Sequence, residues 1–133
     1  MSVGVLIITH NEIGRVLLDT ATGMLGTCPL ECAVISLTPS ADPDVLMSKA
    51  REEVARLNKG DGVLVLTDMY GSTPSNIAAS LCGSRDIMVV AGINLPMLIR
   101  VMNYPQLSLA QLANKAITGG NDGIFPCQPP GTL

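Results

Sequence analysis

A single histidine, His10, closes the apolar run VGVLIITH, and Asp68 directly follows a second such run, GVLVLT. A histidine that attacks an electrophile through one ring nitrogen must hold its proton on the other. An aspartate accepting that N–H fixes the tautomer and stabilises the cation that forms. Just beyond Asp68, Gly71-Ser72-Thr73-Pro74 puts hydroxyls and backbone N–H groups at a helix start, where the peptide dipoles favour an anion. Together these residue types suit a histidine that receives a phosphoryl group and hands it on, a reaction that needs chiefly in-line positioning and charge stabilisation. Read locally, each has a plainer role: a loop histidine, a turn-capping aspartate, and a Ser/Thr helix cap with proline at the first position.

Other chemistries lack their residues. There is no G-x-x-x-x-G-K-[ST], no G-x-G-x-x-G and no acidic cluster suited to magnesium, so no cofactor is expected. Cys28 and Cys32 are spaced C-x3-C, which matches neither the C-x2-C redox motif nor a zinc knuckle, and one histidine cannot complete a Cys2His2 site. They read as buried or incidental thiols.

The elements that must position these groups alternate in period. Val3 to Thr9 is continuous and β-branched, as in a strand covered on both faces. Ile13, Val16, Leu17, Ala21, Met24 and Leu25 recur at helical spacing, and Gly26 ends the pattern. Cys32 to Leu37 is a second strand, and Asp42-Pro43 opens a helix with the stripe Met47, Ala50, Val54 and Leu57. Gly62 to Thr67 is the third strand, followed by the polar loop and a helix carrying Ile77, Ala78 and Leu81. Asp86 to Ala91 is the fourth strand, and a helix runs from about Pro96 to Asn103. Ser108 to Gln111 is a capping box for a last helix, with Leu109, Leu112, Ala113, Ala116 and Ile117 on one face and Gly119-Gly120 as its stop. Phe125 then lies where a short edge strand would fit, before a proline-rich, irregular tail from about residue 126.

Four strands alternating with helices predict one α/β domain over residues 1–133, a three-layer doubly wound sheet of four parallel strands in the order 2-1-3-4. That order places strands one and three side by side where the winding reverses, the crevice in which such folds bind ligands. His10 and Asp68 should face each other across it.

Composition narrows the class. The 133 residues are 47% hydrophobic and 14% charged, enough apolar surface for a self-sufficient core and too much for a disordered chain. A net charge of −3 offers no basic field for nucleic acid, and three aromatic residues give few stacking planes. No apolar run approaches the ~20 residues of a membrane span, and no basic segment precedes the N-terminal apolar run, so a cytoplasmic protein with reduced thiols is expected.

The sequence resembles the enzyme IIA component of the mannose-type phosphoenolpyruvate:sugar phosphotransferase system. The segments VGVLIITH, GVLVLTDMYGSTPSNIA and VVAGINLPML carry the resemblance. It implies a doubly wound fold, usually a homodimer in which a C-terminal edge strand can be exchanged, and a histidine that accepts phosphoryl from phospho-HPr and passes it to a IIB component for sugar uptake. By match of position, His10 is the phosphorylated residue and Asp68 its orienting carboxylate. Thr9, Gly71, Ser72 and Thr73 would meet the phosphoryl group, with Asn76 and Asn94 to Met97 shaping the rim. Contact with a membrane would be indirect, through a permease complex, and no fused IIB domain is expected. Asn11 and Ser72 stand where many members have glycine. Alternative readings are a regulatory phosphocarrier, the phosphotransfer subunit that feeds dihydroxyacetone kinase, a non-covalent anion-binding module, and a thiol redox protein using Cys28 and Cys32.

Overall fold

In a computed structural model of the protein, residues 2–131 are described. The elements alternate as β1 (Gly4–His10), α1 (Ile13–Leu25), β2 (Cys32–Leu37), α2 (Pro43–Leu57), β3 (Val63–Thr67), α3 (Thr73–Ser80) and β4 (Ile87–Ala91), followed by α4 (Leu95–Met102) and α5 (Leu109–Asp122). The four strands pair in parallel in the order β2-β1-β3-β4, as expected.

The continuous apolar runs follow from burial on both faces. Val5 and Ile7 of β1 and Leu64 and Leu66 of β3 point into the core shared with α1, α4 and α5. Leu6 and Ile8, with Val63 and Val65, point into the core shared with α2 and α3. Fully burying such a side chain contributes about 1.5–3 kcal/mol relative to leaving it exposed. Caps set where helices begin: Asp42 accepts from the Asp44 N–H at 2.9 Å, Asn94 from the Met97 N–H at 2.9 Å, and Ser108 and Gln111 form the capping box.

Three details differ from the sequence reading. In α1 the buried residues are Gly14, Leu18 and Ala21, while Ile13, Val16 and Met24 are exposed. Gly14 lies so close to Ile7 and Thr9 that no Cβ would fit, and this contact sets the helix's rotation. Helix α5 runs through Gly119-Gly120 to Asp122. Here the glycines serve close packing, since a Cβ at position 119 would overlap the Arg100 side chain of α4. The edge strand expected around Phe125 is not formed: residues 124–131 follow α5 without strand structure, and the prolines at 126, 129 and 130 lack the N–H a ladder needs. No helix among the described residues is long and apolar enough to cross a membrane.

Candidate functional site

β1 and β3 end side by side, Ile8 opposite Thr67, so the residues that follow each strand emerge together. His10 is the last residue of β1 and Asp68 the first after β3. The Asp68 carboxylate oxygen Oδ2 lies 2.8 Å from His10 Nδ1 and accepts the His10 backbone N–H at 3.0 Å. Its other oxygen, Oδ1, accepts the Met69 N–H at 2.9 Å. Burial by itself pushes the Asp68 carboxyl up, but the hydrogen bonds from His10 and Met69 outweigh it and hold the group below the ordinary carboxylate range. An ionised carboxylate only accepts, so in the neutral ring Nδ1 carries the proton and Nε2 the lone pair. The His10 side chain is 41% exposed and that of Asp68 14%, which leaves the ring reachable and its partner sheltered.

Thr9 lies beneath the site. Its hydroxyl accepts the Gly14 N–H at 2.8 Å and donates to the His10 carbonyl at 3.2 Å, and the residue is fully buried. It ties the start of α1 to the end of β1 and does not face the surface where a phosphoryl group would arrive.

The loop between β3 and α3 is held by its own bonds. The Gly71 N–H donates to Ser75 Oγ at 3.2 Å, the Ser72 N–H donates to the Met69 carbonyl at 3.2 Å, and the Ser72 hydroxyl donates to that same carbonyl. Ser72 is the N-cap of α3, but its side chain does not cap the helix, and Thr73 and Pro74 occupy the first two helical positions. Among the described residues, the N–H groups of Thr73 and Ser75 have no hydrogen-bond partner. Such orphan donors at a helix start can take an anion. Gly71 has φ +86°, a conformation that favours glycine.

A cleft of about 270 Å³ opens at His10, lined by Asn11, Leu37, Thr38, Pro39, Ala41, Pro43 and Thr73. Of the loop residues singled out in the sequence, Thr73 shares this cleft with His10, whereas Gly71 and Ser72 do not line it. The β2–α2 residues were missed by motif reading. The strand order carried the signal, because His10 pairs with Leu37 and the connection after β2 must then run beside it. Asn11 adopts φ +47° and its N–H donates to the Leu37 carbonyl at 2.9 Å. Asn76 is exposed on α3, and Asn94 caps α4 while its amide donates to the Gly120 carbonyl at 3.2 Å.

On the other side of Asp68, the Gly92 N–H donates to the carbonyls of Thr67 at 3.0 Å and Asp68 at 2.8 Å. Gly92 takes φ +90°, so the segment after β4 reaches back to brace the end of β3. Among the described residues no group of three or more His, Cys, Asp or Glu side chains could hold a metal ion.

Comparison with known proteins matches residues 4–117 to the EIIA-man family, described as PTS system fructose IIA component. The chain is 29% identical over 127 residues to the PTS system mannose-specific EIIAB component of Escherichia coli, covering 93% of this chain and 39% of that protein. It thus spans about two fifths of the length of the curated relatives it matches. Among solved structures, the mannose/sorbose specific IIA subunit of the phosphotransferase system from Enterococcus faecalis superposes with a TM-score of 0.88 at 24% identity, covering 100% of both chains. The phosphotransferase system component EIIA from Streptococcus agalactiae gives 0.80 at 24% identity, with 93% of this chain and 96% of that one covered. These two share the fold.

Proposed function

Because the chain belongs to the EIIA-man family of PTS system IIA components, we propose that it is a phosphohistidine carrier in which His10 takes a phosphoryl group from phospho-HPr and passes it to a IIB component for sugar uptake. The observation that carries this reading is the Asp68 oxygen on Nδ1, which leaves Nε2 as the exposed nucleophile. Nε2 attacks the phosphorus as the donor's N–P bond breaks. The Nδ1 proton stays on the ring, and Asp68 stabilises the cationic phosphohistidine without taking the proton. Passing the group on reverses these steps, with the acceptor's nucleophile displacing His10.

The remaining residues take supporting roles in this reading. The free N–H and the hydroxyl of Thr73, which lines the cleft with His10, meet the phosphoryl oxygens at the α3 N-terminus. Gly71 and Ser72 set the shape of the loop. Thr9 braces the His10 backbone from beneath. We place the chain in a homodimer through the unpaired side of β4, where Met88 is exposed and the exposed Ile117 and Ile124 lie beside Val90 and Ala91.

The test is incubation with phosphoenolpyruvate, enzyme I and HPr, followed by intact mass under alkaline conditions. The expected result is one acid-labile phosphoryl group on the wild type and none on His10→Ala. A wild-type protein that gains no phosphoryl mass, or a His10→Ala protein that gains it equally well, overturns the reading. Light scattering of the purified chain tests the dimer, and a monomer at micromolar concentration excludes it.

A further inference from the structure

At the opposite end of β2 from the His10 cleft, the α1–β2 connection brings two cysteines together. Their sulfurs lie 3.7 Å apart, and both thiols point to the Leu30 carbonyl, Cys28 at 3.2 Å and Cys32 at 3.5 Å. Leu30 is buried and anchors the loop between them. Cys28 is exposed, whereas Cys32 is half-buried against the core beneath α1. An approach of about 1.7 Å would bring the sulfurs to bonding distance, well within a side-chain rotation. We infer that Cys28 and Cys32 form a site of reversible oxidation, closing an intramolecular disulfide when exposed to a hydroperoxide.

The two thiols have different tasks. Burial pushes the Cys32 thiol up, and Cys28 and Glu31 push it further, so Cys32 stays protonated and the accessible Cys28 reacts first. The Cys28 sulfur gives up its proton and attacks the peroxide, the O–O bond breaks, and Cys28 becomes a sulfenic acid while the departing hydroxide or alkoxide takes up that proton as water or an alcohol. The Cys32 sulfur then attacks the Cys28 sulfur. The S–O bond breaks, and the departing hydroxide takes the Cys32 proton as water. Two thiols and one hydroperoxide thus give one disulfide, one water or alcohol, and one further water.

The site is independent of phosphoryl transfer. Cys32 pairs with Val5 and His10 with Leu37, so about 16 Å of strand separates them. The experiment treats the full chain with a small excess of hydrogen peroxide, alkylates the remaining thiols, and maps them by mass. Two of the four cysteines, Cys28 and Cys32, should escape alkylation, the peptide spanning 16–49 should lose two hydrogens, and dithiothreitol should restore all four. In Cys32→Ser, Cys28 should stop at a sulfenic acid trapped by dimedone, and in Cys28→Ser no disulfide should form. Four alkylatable cysteines after oxidation, a sulfenic acid that persists in the wild type, or a bridge that joins two chains or reaches Cys82 or Cys127 overturns the proposal.

Discussion

One oxygen of Asp68 is shared between the ring and the backbone of His10, 2.8 Å from Nδ1 and 3.0 Å from the main-chain nitrogen. The ring's orientation is therefore fixed relative to the strand that carries it. Asp68→Asn keeps the shape of the side chain and removes the charge that holds the tautomer. It should fold normally and transfer phosphoryl more slowly by about 10²–10⁴-fold, the range a positioned proton partner contributes. Single-turnover transfer measured beside circular dichroism checks this, and a wild-type rate would reduce Asp68 to a turn cap.

Acid stability should report the same pair. A carboxyl held lower in the folded state than in the unfolded chain stabilises the fold above its unfolded value, and that contribution is lost as pH falls through the folded value. The stability advantage of wild type over Asp68→Asn should thus be constant above about pH 5 and shrink below about pH 4, the ordinary carboxylate range. Urea unfolding at several pH values measures it. An advantage that grows on acidification would reverse the assigned direction.

Two buried threonines at neighbouring strand ends should respond oppositely to loss of the hydroxyl. Thr9 Oγ1 accepts the buried Gly14 N–H, whereas Thr67 Oγ1 is buried with no hydrogen-bond partner among the described residues. Thr9→Val should cost about 1–3 kcal/mol, because it strands a buried donor. Thr67→Val should be neutral or stabilising, because it removes a polar group that gains nothing from burial. Equal costs in denaturant unfolding would refute the distinction.

Asn11 holds φ +47° beside His10. Asn11→Ala should destabilise by about 1–2 kcal/mol, the cost of a left-handed conformation for an ordinary L-residue. Asn11→Gly should stay within about 0.5 kcal/mol of wild type. If both variants transfer phosphoryl at the wild-type rate, the Asn11 side chain has no part in the chemistry and its backbone conformation is what the site uses.

Gly92→Ala tests the brace on Asp68 without steric confusion. A Cβ there meets nothing within 4 Å, so the whole effect comes from φ +90°. The variant should lose about 1–3 kcal/mol of stability and part of the transfer rate. Histidine ring nitrogen shifts in NMR would show whether the His10 tautomer has changed, which a purely structural loss would leave alone.

Much of this was legible from residue order. Strand and helix periods, the Asp42 and Asn94 caps and the Ser108 capping box are local, and each appears where its short-range chemistry puts it. Misreadings arose where a distant partner decided the outcome. Gly119-Gly120 reads as a helix stop, yet Arg100 packs where a side chain would have been. The apolar residues of α1 span more than one face, and contact with Ile7 and Thr9 chose which of them is buried. Cys28 and Cys32 read as incidental, and only the loop around Leu30 brings their sulfurs together.

The sequence alone determined that His10 ends one buried strand and Asp68 directly follows another, because uninterrupted apolar runs and alternating helices permit few other folds. It thereby named the two residues at the switch point. Which ring nitrogen is free, and which loop donors remain unsatisfied, only the tertiary structure decided. Both depend on hydrogen bonds across 58 positions of sequence or within one tight loop, and their geometry follows from strand register, which residue types do not encode.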